Sequence, residues 1–244
     1  MSARITAATA RRVLTQLLRD RRTVALLLIV PSVLMVLLRY VFNSEQLFDR
    51  LAPALLGVFP FIVMFLVTSV AMLRERTSGT LERLLTTPLG KLDLLLGYGI
   101  AFALAAAVQA VIACATAYWL LDLNTSGPAW LVVVIAVADA TLGMALGLWV
   151  SAFARTEFQA VQFMPAFVLP QLLLCGLFTP REAMAGWLEW ISNVLPMSYA
   201  VDALNEVTAH ADVTGILVRD LAIVGGAAVA ALGLAAATLR RRTE

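Results

Sequence analysis

Residues 51–73, LAPALLGVFPFIVMFLVTSVAML, run without interruption into residues 74–89, RERTSGTLERLLTTPL. The first stretch is apolar from end to end; the second brings clustered charges, a Thr-Ser-Gly break and a Thr-Thr-Pro break. A membrane-spanning helix needs roughly 20 predominantly apolar residues, so the join marks the point where such a helix leaves the bilayer. Outward from it, five further stretches have the same character: 23–42, 93–121, 129–153, 160–178 and 217–239. With 61% hydrophobic and 14% charged residues and a mean hydropathy of +0.88, the chain falls well below the ~25% charged fraction of soluble domains. The expected fold class is an all-α integral membrane protein of six spans, residues 1–244 forming a single transmembrane domain.

Basic residues set the orientation. Fourteen lie on one side, in the N-terminal segment, residues 74–91, Arg155 and the C-terminal 240–242, against Arg50, Arg181 and Arg219 on the other. Because Lys and Arg concentrate in cytoplasmic loops, both termini are expected in the cytoplasm. The formal charge of +2 then points to no nucleic-acid partner, since topology accounts for the basic residues. Arginine outnumbers lysine 17 to 1, which with the Ala-rich spans suits a GC-rich bacterial genome and a bacterial plasma membrane. No small-residue cleavage site follows span 1, which reads as an anchor rather than a signal peptide. Residues 1–22 read equally as an interfacial helix or as a basic flank that need not fold.

The remaining local signals are few. After Thr77-Ser78-Gly79, the run TLERLL and the stop at Thr87-Pro88 describe a short cytoplasmic helix within 74–92. It carries Glu75, Arg76, Glu82 and Arg83 beside Leu81, Leu84 and Leu85, a mixture suited to docking. Residues 179–215 place Trp187, Trp190 and Ile191 in a helical rhythm and read as two short amphipathic helices at the outer leaflet. Gly143 and Gly147 form a small-xxx-small pattern in span 4. Cys114 and Cys175 sit in spans with neither disulfide nor metal spacing, and no metal site is expected. His210 reads as an outer-loop residue. Asp139 stands about 15 Å from the outer end of span 4 at 1.5 Å per residue. An acid there costs roughly 2.5 to 3.5 kcal/mol on insertion scales, so it either attracts a cationic part of a cargo or bonds within the subunit to Gln109, Thr141 or Arg39.

Three passages in order, RERTSGTLERLLTTPL, ARTEFQAVQFMPAFVLPQLLLCGLF and TPREAMAGWLEWISNVLPMSYAVDAL, resemble the type-two exporter permeases of the ATP-binding-cassette (ABC) superfamily, over nearly the whole chain. The resemblance implies an N-terminal elbow helix, a coupling helix after span 2 seated on a cytoplasmic ATPase, and an outer lid before span 6. It assigns Glu75, Arg76, Gly79, Thr80, Leu81, Glu82 and Arg83 to the coupling segment, and Arg155, Thr156, Glu157 and Gln159 to the second cytoplasmic turn. It implies a cargo path along spans 2 and 5 rather than span 4, with Phe59, Phe61, Met64 and Phe65 facing Phe163, Met164 and Phe167, so that Asp139 is a path candidate on its charge alone and not by the resemblance. The implied partners are an ABC ATPase dimer, a second permease subunit of the same or a related chain, the lipid bilayer and a hydrophobic or amphipathic small molecule such as a drug, antibiotic or lipid.

The residues agree on energy supply. No GxxxxGK[ST] phosphate cradle is present, since Gly90-Lys91 is followed by Leu92 and preceded by TTPL. The chain is expected to lack ATPase activity and a cofactor of its own, with ATP and Mg bound by the partner ATPase. An ion-coupled secondary transporter would call for internal repeats and more intramembrane ionisable groups. An intramembrane enzyme would call for a paired catalytic group that no span contains. Polysaccharide export remains a variant of the ABC reading.

Overall fold

The chain is helical wherever it is apolar, because a backbone within hydrocarbon has no water to satisfy its amide groups. The computed structural model describes residues 3–78 and 90–238. Its elements are α1 (Ala3–Arg19), α2 (Arg21–Phe42), α3 (Glu45–Thr77), α4 (Lys91–Ala115, continued by a π-helical turn Thr116–Leu120), α5 (Ala129–Val150) and α6 (Glu157–Leu174). A 3₁₀ turn Arg181–Ala183 precedes α7 (Gly186–Val194), α8 (Pro196–Ala209) and α9 (Gly215–Thr238). There is no strand among the described residues.

α5 is the centre of the bundle, packed against α3, α4, α8 and α9. Its glycines let α3 approach to backbone contact: a β-carbon at Gly143 would stand 2.4 Å from the Phe61 carbonyl oxygen. Thr68 of α3 seals the crossing by donating to the Met144 carbonyl at 3.1 Å as well as to its own Met64 carbonyl at 2.7 Å. In lipid, such close van der Waals fit replaces the hydrophobic effect as the force between helices. α2 and α9 lie at the rim, with Ile29, Val33 and Leu37 of α2 turned outward.

α2 and α3 join through two residues. Asn43 adopts a left-handed conformation (φ 46°), Ser44 caps α3 by accepting from the Leu47 amide, and Arg39 bonds Glu45 across the turn at 3.0 Å. The cap starts α3 at Glu45, earlier than the expected residue 51. Its 33 residues extend about 50 Å at 1.5 Å per residue, against a hydrocarbon core of about 30 Å.

Among the described residues, five helices have the length and apolarity to cross a membrane: α2, α3, α4 with its π turn, α5 and α9. The expected span 160–178 is the exception. α6 has 18 residues and stops at Leu174, before Gly176 turns the chain at φ +90°. Glu157, Gln159, Gln162 and Gln171 lower its apolarity below that of the others. At the far end of the bundle α8 buries Met197, Val201, Leu204 and Val207, while α7 leaves Trp187 and Trp190 exposed.

Candidate functional site

Charged groups gather around the last turn of α3, which ion pairs tie to α1 on one side and to α6 on another. α1 is amphipathic and lies on the first turns of α4. It fits there because Gly97 is flat: a β-carbon would come within 2.6 Å of the Thr9 side chain and 3.2 Å of the Thr6 carbonyl. Thr6 donates to Asp93 at 3.3 Å beside this notch. One turn further, the Arg12 guanidinium donates to the Tyr98 hydroxyl at 2.8 Å and reaches the Glu75 carboxylate at 3.4 Å. A single side chain of α1 thus touches both α3 and α4.

The last turn of α3 has a second tie. Arg74 donates through Nε and Nη2 to the two Glu157 oxygens, at 2.7 and 3.0 Å. The planar fork of arginine matches a carboxylate in this way. The two hydrogen bonds, aided by the guanidinium charge, hold the Glu157 carboxyl below the usual carboxylate range. Glu157 occupies the first turn of α6, whose start is fixed by Thr156 accepting from the Gln159 amide at 3.2 Å while the Gln159 side chain accepts from the Arg155 amide at 2.8 Å. This is a capping box displaced by one residue. At the α1–α2 corner Asp20 caps α2. Hydrogen bonds from the Thr23 hydroxyl and amide hold its carboxyl low, and the charge of Arg74 adds to this.

The expected coupling residues therefore divide. Glu75 and Arg76 stand on the last turn of α3, and Arg155, Thr156, Glu157 and Gln159 form the start of α6, joined to α3 by Arg74. Gly79, Thr80, Leu81, Glu82 and Arg83 lie outside the described residues. Arg12, Tyr98 and Arg74 were not named among the expected site residues, although an arginine of the N-terminal helix pairing with Glu75 or Glu82 is an expectation of the sequence, and Arg12 makes that contact with Glu75.

The residues expected along the path divide by burial. Phe61, Met64 and Phe65 are fully buried, because they are the α3 side chains at the crossing where Gly143 and Gly147 admit close contact with α5. They belong to the subunit's core and not to a free face. Phe59, Phe163, Met164 and Phe167 are half-buried. Trp149 of α5, absent from the expected set, meets Phe167 edge to face at 6.3 Å, and Phe167 meets Phe163 likewise at 6.3 Å. Asp139 is fully buried beside Gly57 and Leu204. Neither carboxyl oxygen has a hydrogen-bond partner among the described residues. Among the described residues the bonds expected from Gln109, Thr141 or Arg39 do not form: Thr141 donates to Val137, Arg39 to Glu45, and the Gln109 amide has no partner.

Residues 5–208 match the ABC-2 type transporter family. The chain belongs to that family. Among curated relatives of this ABC-2 chain, the "Probable multidrug ABC transporter permease YbhR" of Escherichia coli K12 is 28% identical over 64% of this chain and 42% of its own length. The "Linearmycin resistance permease protein LnrN" of Bacillus subtilis is 27% identical over the same shares. "ABC transporter G family member 20" of Dictyostelium discoideum is 27% identical over 67% of this chain and 22% of its own. The ABC-2 chain thus spans less than half the length of these relatives. It is a multi-pass membrane permease domain, consistent with its helices.

Proposed function

We propose that this ABC-2 chain is the membrane subunit of an exporter that moves a hydrophobic or amphipathic small molecule outward. ATP hydrolysis on a separate nucleotide-binding dimer drives it, and a second permease subunit completes the path. The observation that carries this reading is α3 itself. It is one continuous helix, longer than the bilayer is thick, and its projecting end is bound to α1 by Arg12–Glu75 and to α6 by Arg74–Glu157. A force applied at residues 74–83 by a docked ATPase would move three elements together and rock α3 against the rest of the bundle. Both termini and this junction face the cytoplasm of a bacterium in this reading. ATP and Mg act on the partner subunit.

The path follows α6. One side of that helix is free along its length, with Val161, Pro165, Leu169 and Leu173 outermost. Gln162 lies on the same side, which a face made for lipid alone would not require. Phe59, Phe163, Met164 and Phe167 border it. Aromatic and Met side chains accommodate varied apolar shapes. The names of the two bacterial relatives, a probable multidrug permease and a linearmycin resistance permease, support a drug or antibiotic as cargo, and the apolar lining suits a lipid equally.

The test is co-purification from the native membrane in mild detergent, with ATPase activity measured for the wild type and Glu82→Lys. Recovery of an ATP-binding subunit whose hydrolysis depends on Glu82 supports the reading. Intact chain without an ATPase across several detergents would overturn it in favour of ion coupling.

A further inference from the structure

A groove of about 760 Å³ lies between the α1–α2 corner and the flanks of α3 and α4. Its floor is apolar, formed by Val13, Leu17, Leu26, Leu66, Val70 and Phe102. Its rim is polar and includes Asp20, Thr23 and Arg74. Asp20 is flanked in the chain by Arg19, Arg21 and Arg22, all exposed. The acids here are already engaged: Asp20 by Thr23, Glu75 by Arg12, Glu157 by Arg74. The three corner arginines form no ion pair among the described residues. Arg19, Arg21 and Arg22 do not line the groove, but they stand next to its lining residue Asp20 in the chain, so exposed positive charge adjoins an acyl-sized apolar channel at the level where an amphipathic helix meets headgroups.

We propose that this groove holds one acyl chain of an anionic glycerophospholipid whose phosphate sits against Arg19, Arg21 and Arg22. Arginine presents a fork that matches phosphate oxygens, and basic side chains beside a membrane favour anionic headgroups. The chain wedges between α1 and α3 at the level of the Arg12–Glu75 contact, so the lipid fixes the angle at which the elbow meets the projecting end of α3. The inference rests on the reading of α1 as a helix at the membrane surface, and it does not depend on the cargo.

The probes are a phosphatidylglycerol and a phosphatidylcholine with the same diazirine-bearing acyl chain, photolysed with the purified full chain in mixed micelles and mapped by mass spectrometry. The phosphatidylglycerol probe is expected to label the peptides carrying Leu26 and Leu66–Val70 in preference to the phosphatidylcholine probe. Replacing Arg19, Arg21 and Arg22 by Gln should lower that labelling about fivefold for each arginine removed, the weight of one basic side chain beside an anionic surface. The corresponding Lys variant retains the charge and should retain labelling, which separates a lost site from a misfolded chain. Equal labelling by the two probes would overturn the proposal and leave ordinary boundary lipid; so would labelling that the Gln variant does not change. Micelles have no sides and need no ATPase, so these outcomes stand apart from the exporter reading. The orientation of α1 is read separately, from labelling of Thr15→Cys in sealed vesicles of each sidedness.

Discussion

Arg74 on the last turn of α3 grips Glu157 on the first turn of α6 through two parallel hydrogen bonds, 2.7 and 3.0 Å long. Both side chains are about half exposed, so the pair adds only ~0 to 1 kcal/mol to stability. Its consequence is mechanical. Arg74→Glu should leave the protein inserted and thermally little changed while reducing transport per ATP hydrolysed in proteoliposomes. The double variant Arg74→Glu with Glu157→Arg should restore much of the loss. A single variant that transports normally would remove the pair from the coupling path.

The same pair has a pH signature. Glu157 is depressed in the folded state, so its contribution is complete above the ordinary glutamate value of about 4.3 and is lost as pH falls through the lower folded value. Between neutral pH and about pH 5 the pair should therefore be insensitive to acid. Thermal melts of wild type and Glu157→Gln should differ by a constant amount over that window and converge below it.

Gly147 meets α3 more closely still: a β-carbon there would stand 2.3 Å from the Thr68 hydroxyl and 2.4 Å from the Phe65 carbonyl oxygen. The second obstacle is backbone and cannot rotate away. Gly147→Ala should force the helices apart and cost about 1–3 kcal/mol, the usual range for overpacking, visible as a lower melting temperature in detergent. An unchanged melt would mean that α3 and α5 separate easily.

Phe65 and Phe167 should respond differently to truncation. Phe65 is fully buried in the α3–α5 crossing, so Phe65→Ala is expected to lose about 3–5 kcal/mol and to appear as reduced folded protein. Phe167 is half-buried beside Trp149 on the α6 side. Phe167→Ala should preserve yield and alter which compounds the transporter confers resistance to, as measured by susceptibility profiles. A changed profile from Phe65→Ala at normal yield would return that residue to the path.

Much of this was legible in the sequence and some was not, for a physical reason that the two phenylalanines illustrate. Where apolar and polar stretches alternate along the chain, as at Leu73-Arg74, length alone locates the helix. Within α3 the side chains are apolar on every side, so no periodic contrast tells Phe65 from a lipid-facing position, and the inward face becomes visible only against Gly143 and Gly147. The glycine spacing was readable, but its partner was not. The Thr156–Gln159 box is a local pattern and lies in the chain as a motif. Arg12–Tyr98 and Arg74–Glu157 join residues more than 80 positions apart, and no spacing rule reaches that far. The expected span 160–178 took in the apolar CGLF that follows Leu174, where Gly176 in fact turns the chain.

Asp139 gives the last test. A buried polar group without a partner costs about 1–3 kcal/mol, and here neither oxygen is paired among the described residues, with Oδ2 close to Gly57. The side chain is fully buried and so is not part of the exposed side of α6. Asp139→Asn keeps the shape and removes the charge, so it should fold at least as well as wild type, with an equal or higher melting temperature, and should leave the ratio of cationic to neutral cargo exported unchanged. Asp139→Ala adds a cavity and should lie below Asn in stability. If Asp139→Asn instead lost cationic export selectively at normal yield, the carboxylate would have to become accessible during the transport cycle. The α3–α5 crossing would then open to admit cargo, a motion that the Gly147 contact as described here opposes.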